Sequence, residues 1–355
     1  MPASSVVKHP RRLLILRFSA LGDVAMTVPV VASLAAQYPR MQITVASQPF
    51  LAPLFDRLAP NVQFFGADIR KAYRGLHGLW QLSRTAPFQD CDAVADLHDV
   101  LRTKILRCFL RLRGKRLAVI DKHRREKRLL VEHKIFRPLP TSFALYAETL
   151  ARLGLPVKLN FERLKLGGDA LHLPFPFSTD TLHEPWLGLA PFAAHEGKIY
   201  PLEQMAEVVQ LYFESHPHGR LFVFGSRKEM EMLRPTWGKD FERLVFVCDI
   251  LKGLDAELQL MARLNAMVSM DSGNMHLASL VDCPVVSIWG QTHPFAGFMG
   301  YHQAEENVVQ QDLHCRPCSI FGNAPCRYGD FRCLRDILPQ LIIDKVEEII
   351  SPEQD

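Results

Sequence analysis

A chain of 355 residues, 48% of them hydrophobic, is too long for one ordinary core and carries enough apolar side chain to fill two. It holds no stretch of about 18 uninterrupted apolar residues, which argues against a membrane-spanning helix. The formal net charge is only +4, so the chain is not basic throughout, and any basic surface has to come from local concentration.

In chain order the first element is a strand. MPASSVVKHPRRLLILRF places basic residues ahead of an apolar run, but LLIL is shorter than the apolar core of a signal peptide and runs straight into a Gly-Asp turn. The protein is therefore expected to stay in the cytoplasm. Strands at Leu13–Phe18, Gln42–Ala46, Val62–Phe65, Ala93–Leu97 and Arg116–Ile120 alternate with helical patterns. A second series follows at Trp186–Ala190, Arg220–Phe224, Leu244–Val247, Met267–Met270 and Val285–Trp289. Such alternation argues for parallel sheets with crossover helices. The class is α/β, with two Rossmann-like domains at 1–166 and 186–334 joined by a Gly-, Pro-, Ser- and Thr-rich linker at 167–185. A helix is expected to close the chain within 335–355, where Ile337, Leu338, Leu341, Ile342, Val346 and Ile349 recur at helical spacing.

Two segments carry the chemistry: RFSALGDVAMTVP at 17–29 and SMDSGNMHLASLVDCPVVSIWG at 269–290. Each reads as strand, small-residue turn and helix start, with an aspartate (Asp23, Asp271) where the backbone leaves the strand. In parallel α/β sheets ligands sit at the carboxyl ends of the strands, and a helix N-terminus offers free N–H groups to phosphate. The absence of G-x-G-x-x-G after the first strand counts against a nicotinamide enzyme.

These segments resemble glycosyltransferase family 9, the bacterial heptosyltransferases of the lipopolysaccharide inner core, whose members carry an S-x-x-G-D turn and a late D-[ST]-G-x-x-H-x-A helix start. Here they read Ser19 to Asp23 and Asp271 to Ala278, and GLAPFAAHEGKIYPLEQMAEVV (188–209) resembles the family's donor loop, with Lys198 at its lysine. The resemblance runs from about residue 12 to the C-terminus. It implies the GT-B fold, two parallel-sheet domains facing across a central cleft, with the first domain binding the acceptor and the second the nucleotide sugar. It also implies metal-independent chemistry and a closing helix that crosses back toward the first domain. The chain departs from the family pattern at Ala193 and Ala194, where many relatives have Ser or Thr, at Tyr200 in place of tryptophan, and at His293 in place of aspartate.

Asp23 is the candidate general base, since an inverting transfer needs the acceptor hydroxyl deprotonated as it attacks; Gly22 permits close approach beside it. A lone Gly-Asp pair more often caps a helix, here one expected over 23–37, and only the full motif reverses that preference. Lys198 is the candidate phosphate contact, though an isolated lysine is ordinarily a solvated surface residue. Ser272 and Gly273 would open a helix toward phosphate. Asp271 is placed against hydroxyls of the transferred sugar, against an equal reading as a plain N-cap, and Glu229 against ribose or base. His276, on an apolar helix face, buttresses the helix start or touches phosphate; a satisfied structural histidine is the commoner case. Asp90 and Asp92 spell D-x-D ahead of an apolar strand and read as a turn.

From Arg102 to Arg137 fourteen Lys or Arg face three acidic residues, a net +11 that leaves the rest of the chain negative. Arg102, Lys104, Arg124 and Arg125 are the candidate contacts for a phosphorylated lipid A acceptor with acidic Kdo sugars, and for peripheral contact with the anionic inner face of the inner membrane. A solvated helical face is an equal reading. Nucleic acid is ranked below both, because no aromatic residues interleave the charges.

Cys91, Cys108, Cys248 and Cys283 stand singly in apolar contexts and are expected to be buried. Cys315, Cys318, Cys326 and Cys333 form C-x₂-C-x₇-C-x₆-C in a loop at 315–333, where structural zinc, disulfides and free thiols all stay open, and where the loop is expected to lie away from the chemistry. The expected function is an inverting glycosyltransferase that needs no cofactor for catalysis, moving a heptose or a related sugar from a nucleotide-diphosphate donor, which the resemblance implies is ADP-heptose, to a lipopolysaccharide inner-core acceptor. A nucleotide-sugar epimerase of the same fold and a non-catalytic glycan-binding relative are the alternatives.

Overall fold

The computed structural model describes residues 9–167, 185–240 and 243–351. They sort into two compact units: the chain up to His123 together with Pro140–Lys165, and Arg124–Leu139 together with the chain from Leu166 onward. Most of the linker expected at 167–185 lies outside the described residues.

In the first unit β1 (Arg12–Leu16), β2 (Gln42–Ser47), β3 (Val62–Gly66), β4 (Ala93–Asp96) and β5 (Arg116–Val119) form one parallel sheet in the order β3-β2-β1-β4-β5. Leu13, Leu14, Ile15 and Leu16 are at most 1% exposed, as a central parallel strand covered on both faces requires. Around it pack α1 (Leu21–Ala25), α2 (Thr27–Gln37), α3 (Gly75–Ser83), α4 (Ala86–Asp90) and α5 (Leu101–Leu112). The next helix, α6 (Arg124–Val131), belongs to the second unit, and α7 (Ser142–Ala151) returns to the first. Asp90 ends α4, so the D-x-D expected as a turn spans a helix end, and Asp92 accepts the backbone N–H groups of Arg11 and Arg12 and ties the start of β1.

In the second unit β6 (Trp186–Ala190), β7 (Arg220–Val223), β8 (Leu244–Phe246), β9 (Ala266–Met270), β10 (Val285–Trp289) and β11 (Val308–Gln310) form a parallel sheet in the order β11-β10-β9-β6-β7-β8. β11 was not expected, because three residues of Val-Val-Gln give no readable period. The helices are α8 (Leu202–Ser215), α9 (Arg227–Asp240), α10 (Val247–Ile250), α11 (Leu254–Met261), α12 (Gly273–Leu280), α13 (Arg332–Arg335) and α14 (Pro339–Ile350). The closing helix starts later than its spacing suggests, at Pro339, whose missing N–H suits the first helical position. It buries Ile342, Ile343 and Val346 in the second unit's own core, beside α8. No helix among the described residues is long and apolar enough to cross a membrane.

A boundary at a single point in the chain does not describe the units, because 124–139 packs with the second one. Leu130 and Leu139 bury against Ala296, the Leu139 N–H bonds the Phe295 carbonyl at 2.9 Å, and Phe136 lies 5.0 Å from Phe295 between ring centroids. Charge dominates this stretch, yet its apolar residues decide where it docks.

Both sheets reverse their strand order once, between β1 and β4 in the first and between β6 and β9 in the second. A parallel sheet opens a crevice at the carboxyl edge of such a point, since the crossover helices on either side leave to opposite faces. The S-x-x-G-D turn follows β1, the loop that carries Lys198 follows β6, and the D-S-G helix start follows β9.

Candidate active site

The first crevice is built from the residues after β1 and β4. Arg17, 6% exposed, donates from Nη1 to the Leu97 carbonyl at 2.5 Å and sets Nη2 2.5 Å from Asp23 Oδ2. The same carboxylate oxygen accepts the Ala20 N–H at 3.0 Å. Asp23 is thus the third residue of α1 and no N-cap. Ala20 holds the cap position with no side chain able to cap, and Asp23 reaches back to serve it. The helix expected over 23–37 is two helices, broken at Met26. Tyr146 on α7 donates its hydroxyl to the Asp23 carbonyl at 3.2 Å, and burial raises its phenol above the ordinary range.

From β4, Asp96 Oδ1 accepts the His98 and Asp99 N–H groups at 2.9 Å each, while Arg107 lies 3.0 Å from Asp96 and 3.1 Å from Asp99. His98 sits over the S-x-x-G-D turn. Its Nδ1 is 3.5 Å from the Phe18 nitrogen and its Nε2 3.3 Å from Ser19 Oγ. Burial, and then the Arg17 charge, push the imidazole down to about 3, so it is neutral. Nδ1 can then only accept from Phe18, which assigns the proton to Nε2 and makes that nitrogen the donor to Ser19.

The second crevice uses the residues after β6 and β9. Lys198 closes a single 3₁₀ turn, Glu196–Lys198, and its Nζ is 3.0 Å from Asp271 Oδ2. The pair is nearly dry, with the lysine side chain 15% exposed and the aspartate 5%. Asp271 Oδ2 has no hydrogen-bond donor of proper geometry among the described residues, so charge alone holds it. Asp271 is not the cap of α12. That position belongs to Ser272, whose hydroxyl lies 3.3 Å from Ser269 Oγ. Gly273 begins the helix and His276 is buried within it.

Glu229 lies just beyond β7 in a full capping box: its Oε2 accepts the Ser226 N–H and hydroxyl at 2.6 and 2.7 Å, and its own N–H returns to Ser226 Oγ at 3.3 Å. Tyr200 is fully buried, its hydroxyl donating to the Ile337 carbonyl at 2.7 Å. It is a core buttress of the donor loop. His293, pushed down to about 4 by burial and Arg316, accepts the Phe295 N–H at Nδ1, the capping job an aspartate does.

The structure gathers Gly22 and Asp23 at one crevice, and Lys198, Asp271, Ser272, Gly273 and His276 at the other. The basic set divides: Arg102 and Lys104 are exposed on α5 of the first unit, whereas Arg124 and Arg125 are exposed on α6 of the second. Sequence reasoning missed Arg17, Asp96, His98, Arg107 and Tyr146. Arg17 stood inside the quoted motif, and Asp96 ends an apolar AVAD strand where a carboxylate needs a partner.

Two cysteine expectations change. Cys108 is exposed and Cys248 only half-buried, because each faces outward from its element. All four cysteines of the 315–333 loop are free thiols, and among the described residues no three His, Cys, Asp or Glu side chains gather so as to hold a metal ion. The zinc reading therefore has no assembled ligand set. Nor is the loop remote from the candidate chemistry, since Gly322 lies against the stem of Lys198.

Comparison with known proteins adds the lineage. The chain is 24% identical over 303 residues to the lipopolysaccharide core heptosyltransferase OpsX of Haemophilus influenzae, covering 80% of each chain. It is 22% identical over 339 residues to lipooligosaccharide heptosyltransferase 2 of Campylobacter jejuni, covering 94% of this chain and 97% of that one. Among solved structures, a glycosyl transferase family 9 protein of Veillonella parvula superposes at a TM-score of 0.71 with 18% identity, covering 96% and 97% of the two chains. The E. coli ADP-heptose lipopolysaccharide heptosyltransferase II superposes at 0.66 with 19% identity, covering 97% and 100%. Those likenesses establish the fold, which is GT-B. The model of glycosyltransferase family 9 (heptosyltransferase) matches residues 82–324, and the chain belongs to that family: it is a glycosyltransferase.

Proposed function

We propose that the protein transfers a heptose from ADP-heptose to a lipopolysaccharide inner-core acceptor, with inversion and without a catalytic metal. The observation that carries this reading is the pair of charged crevices, one presenting a carboxylate and the other an ammonium, in a family 9 chain.

In the reaction the acceptor hydroxyl oxygen attacks the anomeric carbon, the bond from that carbon to the diphosphate oxygen breaks, and the hydroxyl proton passes to the Asp23 carboxylate. ADP leaves with its electron pair. A helix N-terminus such as that of α12 supplies typically 0.3 to 1 kcal/mol toward the phosphate charge. One ammonium at about 4 Å supplies ~4 kcal/mol at an effective dielectric near 20. Lys198 therefore carries the larger share and stands where other transferases hold a cation, with Ser272 and Gly273 adding amide dipoles. Asp271 Oδ2, buried beside the Lys198 ammonium and with no hydrogen-bond donor of proper geometry among the described residues, suits a hydroxyl of the transferred sugar. Glu229 takes the ribose, Gly22 leaves room beside the base, and His276 supports the helix start under the phosphate.

Arg102 and Lys104, and separately Arg124 and Arg125, are assigned to the acidic acceptor. We place the reaction at the cytoplasmic face of the inner membrane, where a basic side chain near anionic lipid contributes on the order of 1 kcal/mol.

A panel of nucleotide sugars tested by thermal shift, followed by transfer to core acceptor, examines this directly. ADP-heptose at about 100 times its Kd should add ~2.7 kcal/mol to stability. Stabilisation by another nucleotide sugar alone would replace the donor, and donor turnover with no acceptor present would replace the reaction.

A further inference from the structure

The loop that carries the four cysteines touches the lysine on which the donor reading rests. A Cβ built on Gly322 would fall 2.3 Å from Lys198 Cγ and 2.6 Å from its Cδ. No side chain fits there unless the lysine stem moves. Gly322 also has φ +73, a backbone conformation glycine adopts without penalty. Its position is fixed: Ser319 Oγ accepts the N–H of Gly322 at 2.9 Å and of Asn323 at 3.2 Å.

The loop is bolted to the strand edge behind it. Cys318 N–H bonds the Gln291 carbonyl at 3.1 Å, and Gln291 N–H bonds the Gly197 carbonyl at 2.9 Å. The Gln291 amide bonds the Ala324 carbonyl at 3.0 Å. Arg316, 3% exposed, spans the carbonyls of Trp289 and Thr292 at 3.1 and 2.8 Å. Lys198 is thus held at both ends, its ammonium by Asp271 and its stem by Gly322.

We infer that Gly322 is a positioning residue for Lys198, and that the cysteine-bearing loop is a wall of the donor site which presets the reach of the ammonium toward the diphosphate. A long side chain ordered before the ligand arrives need not be ordered by binding. The inference rests on Lys198 being the phosphate contact.

Gly329 supplies the matched control. It lies in the same loop at the same φ of +73, with nothing within 4 Å of its would-be Cβ. Gly322→Ala and Gly329→Ala therefore carry the same backbone strain, and only the first displaces the lysine. With ADP as probe, Gly322→Ala should raise Kd about tenfold and lower kcat/KM by up to roughly 10²-fold, chiefly through KM. Gly329→Ala should bind ADP as the wild type does at a similar loss of Tm. In a Lys198→Met background, Gly322→Ala should add no further loss of ADP affinity. Equal ADP affinity in the two alanine variants, alongside a weakened Lys198→Met, would overturn this inference alone. Wild-type ADP binding by Lys198→Met would instead remove the donor reading beneath it.

Discussion

The two crevices are built alike and charged in opposite senses. In the first unit the cation is buried and the anion reachable: the Arg17 side chain is 7% exposed and that of Asp23 31%. In the second the anion is buried and the cation more reachable, with Asp271 at 5% and Lys198 at 15%. An ion pair taken out of water has its Coulomb gain largely offset by desolvation, so neither pair is best understood as a stabilising device. What each achieves is presentation. The buried member fixes the direction of its more exposed partner, and the burial asymmetry decides which charge the crevice offers. The proposed transfer would want a proton acceptor on one side and a phosphate partner on the other.

Neutralising the presented anion tests the first half of that comparison most severely. Asp23→Asn keeps an oxygen to accept from Arg17 and the Ala20 N–H, so the fold should survive and ADP-heptose should still raise Tm. The rate should fall by about 10²- to 10⁴-fold, the usual contribution of a positioned base. Near-normal turnover would leave Asp23 as the helix-capping residue its hydrogen bond to Ala20 already makes it.

Lys198→Met removes the presented cation and leaves Asp271 buried with no counter-charge. Such a change typically costs about 3 to 5 kcal/mol, and the partial exposure of the lysine points to the lower end. Lys198→Met with Asp271→Leu should recover most of that stability while donor affinity stays lost. If the double variant is as unstable as the sum of the singles, the two side chains are not coupled, and the second crevice is not the counterpart of the first.

The sheets were legible because unbroken apolar runs mark buried parallel strands, whereas Asp23 and Lys198 stood out only through the family motifs, since a lone Gly-Asp more often caps a helix and a lone lysine is ordinarily solvated. The buried partner of Asp23 was not legible. Arg17 looked like one more basic residue beside a strand, and only the bond from its guanidinium to the Leu97 carbonyl shows that it is inside. Glu229 has a structural role that was legible. Ser226-x-x-Glu229 spells a capping box in the sequence itself, and the structure shows that box formed. The division of the basic run was hidden as well, because net charge was counted along 102–137 while docking is set by Leu130, Phe136 and Leu139.

Each unit also holds a buried histidine neutral, His98 over the turn that carries Asp23 and His293 against Phe136 and Phe295, and acid should expose both. The ordinary value is 6.5, and the folded values are about 3 for His98 and about 4 for His293. As pH falls below 6.5 the unfolded chain takes up protons that the fold refuses, so stability is lost through the window from 6.5 down toward 4. Near pH 5 the loss should be on the order of 2 kcal/mol for each histidine. His98→Gln should flatten this slope in urea titrations at pH 7 and pH 5. An unchanged slope would mean that His98 is protonated in the fold and is no hydrogen-bond acceptor for Phe18.

The smallest effects belong to the exposed charges, and they bear on which unit recognises the acceptor. Arg102→Glu with Lys104→Glu changes only the first unit, and Arg124→Glu with Arg125→Glu only the second, so each pair reads one unit without disturbing the other. Exposed charges act through screened fields. Each pair should therefore raise acceptor KM only a few-fold at low salt and leave donor KM alone, with the difference shrinking as ionic strength rises. If only the first pair matters, the acceptor is recognised by the unit that carries Asp23, and the charges of α6 are a solvated face around an apolar dock. If both matter to a similar degree, charges of both units take part in recognising the acidic acceptor.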